Sequence, residues 1–397
     1  RLNSFYSLLA LPILAFAIFT CWSHLRSAST MEEFCLPIYT YFLLSWLEFL
    51  EEKQNWTWLR CFCFGLCFGI LLWIKFTLLY FILTPLLIWF FISLRRRQYR
   101  ILLLNIFFMF LGALSITMPI LIFFGINNAL GNLFYVYFYI NLTAYARATP
   151  IILLTNLGIS INLGPVFIFL ILYGVIRFTI QNWHNHTGRF LLIAFLINFL
   201  LLIYSANKIA YYYNELVPYS IFGIIYILEW LSQKFINLKK QWVFTAIFSI
   251  SIILCIPFSI LTYEWGRSKN DYAPLVVADT IQEYEKSNNT ETTIYCYKTF
   301  DFGFYNAAHK TPNNYYFANN VFNQERFPEF YEALENYIIN QTSDFVITEL
   351  KTWKSEKDFL AQYYQPYTND LSRCTFHYRK INYFYYMHYD FILLIKK

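Results

Sequence analysis

The stretch Ser29-Thr30-Met31-Glu32-Glu33-Phe34-Cys35-Leu36-Pro37 sets two adjacent carboxylates between apolar runs long enough to cross a bilayer. Its flanks decide the class of the protein. If both flanking runs are membrane helices, Glu32 and Glu33 stand at a membrane surface, where desolvation requires a charge to be paired, liganded or used. The alternative is a solvated interfacial turn, with both acids near the N-terminus of the next helix and favoured there by its dipole.

Composition points to membrane helices. The 397-residue chain is 58% hydrophobic and 14% charged, with mean hydropathy +0.41, far from a soluble mixture. Windows of about 19 residues mark apolar runs near 4–22, 34–50, 58–74, 76–94, 101–125, 155–180, 189–204, 215–233 and 242–263. These are about nine candidate spans, each near the ~20 residues a bilayer needs, with 34–50 and 189–204 short. The 34 Tyr and 43 Phe suit aromatic interface belts.

Threading the runs alternately, with 58–74 running outward, collects Lys53, Arg60, Arg95, Arg96, Arg97, Arg100, Arg177, Arg189, Lys234, Lys239 and Lys240 on one side. The other side keeps Arg26, Lys75, Arg147 and Lys208. The positive-inside rule makes the first set cytoplasmic. The last span then exits outward, and Glu32 and Glu33 face outside. In this setting the net charge of +6 reports orientation and lipid phosphates rather than nucleic acid.

From Glu264 to Lys397 acidic residues, Asn and Lys become frequent and the periodicity shortens. Helices are predicted at 274–287, 325–340 and 356–364, and strands at 292–297, 315–318, 344–349, 374–380 and 384–395. The expected fold is therefore a polytopic α-helical membrane protein over 1–263 with a C-terminal extracytoplasmic α/β domain over 264–397, long enough to form its own core. Cys61, Cys63 and Cys67 lie inside an apolar run at a spacing unlike a zinc site and read as packing residues. Cys296 and Cys374 fall in the polar part, where pairing and free thiols both remain open.

Three outer-side features carry candidate chemistry. Lys75, in Leu-Trp-Ile-Lys-Phe-Thr, is held at the membrane boundary, either to pair with a phosphate head group or to snorkel as an interface marker. The segment 126–150 carries Tyr135, Tyr137, Tyr139, Asn141, Tyr145 and Arg147, read as an amphipathic helix whose polar side floors a cavity for a sugar or lipid head group, or as an aromatic belt. Ser205–Pro218 brings Tyr211, Tyr212, Tyr213, Asn214 and Glu215 to the start of a span, where the tyrosine hydroxyls, the Asn214 amide and Lys208 make a polar ligand site, or the segment is a belt with a helix start. GxxxxGK[ST], HExxH and GxSxG do not occur, so nucleotide hydrolysis, zinc proteolysis and serine hydrolysis have no local support. His184 and His186, two apart with no nearby carboxylate, read as a solvated loop and no metal site is expected.

Taken together, these segments resemble bacterial polytopic glycosyltransferases of the GT-C class, the protein O-mannosyltransferase-like, family-39 type. Thr30–Pro37 resembles their TEEF-x-LP turn, and Gly65–Lys75 is similar to their glycine-containing helix ending in lysine. Tyr211-Tyr-Tyr-Asn-Glu-Leu-Val-Pro218 resembles HYY-x-x-L-x-P, with Tyr211 where histidine is common; Asp301-Phe-Gly-Phe-Tyr305 and Tyr315-Tyr-Phe resemble the outer domain. The resemblance implies a sugar carried on a polyprenyl phosphate, transferred at the outer face of the plasma membrane to an envelope glycan, lipid or protein. It implies a carboxylate base, Lys75 and Arg147 against the departing phosphate, and Tyr212, Tyr213 and Asn214 around the donor. In the family the base is an early Asp, whereas no Asp precedes Asp271 here. With Arg1 rather than Met at the start, the expectation is that a leading span, its acidic loop and a returning span are missing. Glu32 and Glu33 are the substitutes at hand, as base or as ligands of a divalent cation. The competing reading is a non-catalytic lipid or polysaccharide flippase or a receptor-like module. A transporter places charges near mid-membrane, whereas Glu48 and Glu229 fall near span ends.

Overall fold

A computed structural model describes residues 31–52, 56–144, 149–204, 210–234, 272–317, 322–368, 375–382 and 385–397, with isolated positions between 10 and 17 and between 242 and 253. The chain packs as two compact units, Arg1–Tyr137 with Arg147–Leu261, and Phe138–Ala146 with Thr262–Lys397. Grouping 138–146 with the C-terminal unit is a feature that hydropathy does not encode.

The first unit is helical: α1 (Met31–Glu52), α2 (Trp58–Lys75), α3 (Tyr80–Arg95), α4 (Tyr99–Ile126), α5 (Leu130–Phe134), α6 (Pro150–Ile159), α7 (Pro165–Gln181), α8 (Thr187–Tyr204) and α9 (Ser220–Lys234). Four described stretches are long and apolar enough to cross a membrane: Trp58–Arg95, Tyr99–Ile126, Thr187–Tyr204 and Tyr212–Lys234. The outward face of α4 has the apolar character that contact with lipid would accept. Leu103, Phe123 and Ile126 are 68%, 63% and 76% exposed, and only Leu102, Asn105 and Gly112 of α4 are buried. Water would penalise so large an apolar face, whereas lipid tails accept it.

The run 58–95 is two helices. Lys75 adopts an extended conformation (φ −168°, ψ 103°) that ends α2, and a 3-10 turn over Phe76–Leu79 leads into α3. Trp56, just before α2, stacks on Trp89 of α3 at 4.8 Å, so the chain doubles back at Lys75. Helix α1 runs against α2: the Tyr39 hydroxyl donates to the Leu78 carbonyl, while Phe49 meets Trp56 at 5.3 Å. Helices α2 and α4 run parallel, with Trp58 beside Phe108 at 5.6 Å and Trp73 Nε1 donating to Thr117 Oγ1 at 3.0 Å. Glycines let them touch backbone to backbone. A Cβ at Gly65 would collide with the Met109 carbonyl, and one at Gly112 with the Phe62 carbonyl. Helices α7 and α9 meet the same way at Gly174 and Gly223, as close packing without a hydrophobic driving force requires.

Pro85 in α3 has no N–H for the Phe81 carbonyl four residues back. Asn198 of α8 supplies one, its Nδ2 donating to Phe81 O at 3.5 Å and to the Tyr219 hydroxyl at 3.0 Å. Its Oδ1 accepts from the Thr84 hydroxyl at 3.3 Å.

Several spans differ from the hydropathy reading. The run 155–180 is broken, because Gly164 (φ 83°, ψ 154°) and Pro165 interrupt it between α6 and α7. The segment 126–150 is helical over α5, passes through a π-helix at Tyr135–Ile140 and ends in a turn at Asn141–Thr143. The span expected from 215 begins as a 3-10 helix over Ala210–Tyr219, with α-helix only from Ser220. The runs 4–22 and 242–263 lie largely outside the described residues.

The second unit is a five-stranded sheet with helices. Strand β1 (Ile294–Cys296) pairs in parallel with β2 (Phe345–Glu349), and β2 pairs antiparallel with β5 (Tyr385–Lys396). The other edge of β5 takes β3 (Tyr364–Pro366) and β4 (Thr375–Asn382) end to end. On one face Ile294, Cys296, Phe345, Ile347, Phe391 and Leu393 pack with Ala273, Val277, Ala278 and Ile281 of α10 (Ala273–Asn288). On the other, the Tyr295 ring meets Tyr337 of α11 (Pro328–Ile339) at 5.5 Å. Burial of both faces gives three layers, as parallel pairing through a helical crossover favours. The strand expected at 315–318 is a bend over Asn314–Tyr316. Its rings pack on α11 (Pro328–Ile339) instead, Tyr316 lying 5.2 Å from Phe330. Cys296 carries a buried free thiol, and Cys374 lies outside the described residues.

Candidate functional site

The extended backbone at Lys75 takes its side chain off the axis of α2. The ammonium sits 3.8 Å from the centroid of the Tyr212 ring, a cation–π contact strengthened where water is scarce. Tyr212 belongs to the 3-10 helix Ala210–Tyr219, ten residues long, where such helices seldom exceed three or four. Every residue from Tyr213 to Ser220 is buried, so surrounding packing rather than intrinsic preference maintains it. Helix α1 lies along it.

The neighbouring side chains fix the frame. The Tyr213 hydroxyl donates to the Asn156 carbonyl of α6 at 2.5 Å, and Asn156 Nδ2 donates to the Ile203 carbonyl of α8 at 3.0 Å. The Tyr137 hydroxyl donates to the Leu72 carbonyl at 2.7 Å while its ring stacks 5.7 Å from Trp73. Asn214 and Glu215 are 0% and 1% exposed. Glu33 opens α1 at the end where Tyr39 meets Leu78, and is half-buried.

Of the residues singled out in the sequence, Lys75 and Tyr212 are in contact, and Tyr213 and Asn214 continue the same 3-10 helix. Tyr213 is turned to α6, with its hydroxyl occupied there. Arg147, Lys208 and the side chain of Glu32 lie outside the described residues. His184 and His186 are exposed, and among the described residues no three His, Cys, Asp or Glu side chains group to hold a metal. Glu215, which the sequence placed at a span start without a role, is instead a buried carboxylate.

The opposite end of the first unit is cationic. Arg60 pairs with Glu48 at 3.0 Å, Arg96 lies over Phe49 at 5.4 Å, Arg189 over Trp183 at 4.9 Å and Lys234 over Trp230 at 5.5 Å. One end thus gathers guanidinium and ammonium groups. The other has the Lys75 ammonium over the Tyr212 ring. No protein-family model, curated protein or solved structure matches this chain.

Proposed function

We propose that the chain is a membrane glycosyltransferase that moves a sugar from a polyprenyl-phosphate donor to a cell-envelope glycan, lipid or protein. The observation that carries this reading is the Lys75 ammonium held over Tyr212 at the end of apolar helices. A lipid-linked phosphate arrives at the membrane boundary, and a fixed cation there offsets the charge that grows on it as the sugar leaves. Tyr212 and Asn214 offer a ring and an amide to the sugar, Tyr213 anchors their helix to α6, and Arg147 is a second cation in this reading.

The same reading makes the Lys75 end the outer face of the plasma membrane and the arginine-rich end cytoplasmic. It gives about nine spans over 1–263 and an extracytoplasmic α/β unit. The test uses the full chain in lipid vesicles with a labelled polyprenyl-phosphate hexose. Lys75→Ala should lower release of polyprenyl phosphate by about 100-fold or more with insertion preserved. Unchanged turnover removes Lys75 from the mechanism. Donor bound by the unaltered chain but never cleaved favours a non-catalytic, carrier-handling protein.

A further inference from the structure

We infer that the turn 95–100 between α3 and α4 is a binding site for the phosphate of an anionic phospholipid. Arg95, Arg96, Arg97 and Arg100 are exposed. Among the described residues none of the four pairs with a carboxylate, while Arg60 takes Glu48.

Local folding preference explains two of these cations and leaves two over. Arg95 and Arg96 stand at the carboxyl end of α3, where the helix dipole favours positive charge. Arg97 holds φ at 55°. Its N–H donates to the Leu94 carbonyl at 2.9 Å, and that of Gln98 to the Ser93 carbonyl at 3.1 Å. In this helix ending the left-handed position usually belongs to glycine, because a side chain there meets the backbone. Arg100 is the second residue of α4, whose first turn carries no acid, so its charge stands against the dipole. Two cations kept where the backbone disfavours them, and answered by no described carboxylate, point to an anion outside the chain.

Their setting makes that anion a lipid. Three residues separate α3 from α4, and these helices end Trp58–Arg95 and open Tyr99–Ile126, stretches long and apolar enough to cross a membrane. The turn is therefore held at the bilayer surface. Arg95 follows Phe91 by four residues and Arg100 precedes Leu103 by three, spacings that share a helix face. Phe91 and Leu103 are 64% and 68% exposed. Both guanidiniums thus stand over apolar side chains open to the outside, in the order in which a phospholipid presents phosphate and acyl chain. A guanidinium grips two phosphate oxygens at once, and Arg96 is preset by its seat over Phe49 at 5.4 Å. The site involves no transfer chemistry and stands apart from the transferase reading.

The test uses the full chain in nanodiscs of phosphatidylcholine, with and without phosphatidylglycerol. The unaltered chain, released into detergent, should retain phosphatidylglycerol in preference to phosphatidylcholine, as counted by native mass spectrometry. Arg97→Gly with Arg100→Gln should retain about tenfold less. In phosphatidylcholine alone that variant should melt at the unaltered temperature or above, since glycine suits position 97. Arg177→Gln with Lys234→Gln, which removes as much charge from α7 and α9, should keep retention within about twofold. The inference is overturned if the unaltered chain shows no preference, or if the control pair loses as much lipid, which assigns the effect to a diffuse field. A lower melting temperature in phosphatidylcholine alone overturns it too, by assigning the arginines to structure. Release of the bound lipid by glycerol 3-phosphate makes the occupant a soluble phosphate and overturns the lipid assignment. If the double variant fails to insert, Arg97→Gly decides alone: retention lowered about threefold or more supports the site, and unchanged retention overturns it.

Discussion

Tyr212 works through its ring where Tyr213 works through its hydroxyl, although the two are adjacent in sequence. The Lys75 ammonium faces the Tyr212 ring, so Tyr212→Phe should leave donor affinity within about twofold, whereas Tyr212→Leu should weaken it about tenfold, as the worth of a desolvated cation–π contact implies. Equal loss in both variants would move the role to the hydroxyl. In the second unit, Glu285 Oε1 accepts from Lys310 at 2.7 Å and from the Thr292 N–H and hydroxyl at 2.6 and 2.8 Å. Burial alone would raise this carboxyl, but these donors outweigh it and hold it below its usual range. A depressed folded value means that the unfolded chain binds the proton more readily. The contribution is therefore present above the ordinary carboxylate value of about 4.3 and is lost as pH falls through the folded one. Lys310→Met should cost about 1–3 kcal/mol near neutral pH and flatten the acid-side fall in melting temperature. A melt that still drops as steeply would show that Glu285 does not report acid sensitivity.

At the scale of elements, what sequence reveals depends on whether a pattern is local. Short, nearly unbroken apolar runs in Phe345–Glu349 and in Tyr385–Lys396 marked both strands, because a strand buried on both faces needs apolar side chains at successive positions. The aromatic run Tyr315–Phe317 misled, since rings packing on α11 account for it without strand pairing. Hydropathy windows passed over Gly164-Pro165, because two residues hardly alter an average, yet they divide the span into α6 and α7. The helix contacts were also hidden. Gly65, Gly69 and Gly112 look like minor interruptions until their missing Cβ atoms prove to be where α2 and α4 touch. Gly112→Leu should therefore force that pair apart and destabilise the detergent-solubilised chain by about 3 kcal/mol or more, beyond ordinary overpacking because the obstacle is backbone. Gly131→Ala is the control: a Cβ there meets nothing within 4 Å, and a helical alanine should hold stability or raise it by about 0.5–1 kcal/mol. Equal melting of both variants would deny the close crossing.

For the molecule as a whole, packing sorts the described cations by end, as loop counting sorts them by side. The sequence separated cations by side from loop counting alone. The packing of the first unit separates them again, since Arg60, Arg96, Arg189 and Lys234 mark one end while Lys75 and Tyr212 mark the other. Helix α4, parallel to α2 and paired with it at Trp73 and Thr117, continues to Ile126, so the exposed Asn128 lies beyond the Lys75 end. Helix α8 brings Ile203 to Asn156, near Tyr213, so its start and the exposed His184 before it lie at the arginine end. What loop counting lacked was any link between Lys75 and Tyr212, which are far apart in the chain and share no local pattern. Orientation is testable in whole cells with single cysteines, after the 8 native ones are replaced. A membrane-impermeant maleimide should label Asn128→Cys directly, and label His184→Cys and Arg97→Cys only after permeabilisation. The reverse pattern would put Lys75 at the cytoplasmic face, where a carrier displaying its sugar outward is out of reach. Labelling of Asn128→Cys and His184→Cys from the same side would break the alternate threading itself, and with it the placement of cation and ring at one boundary.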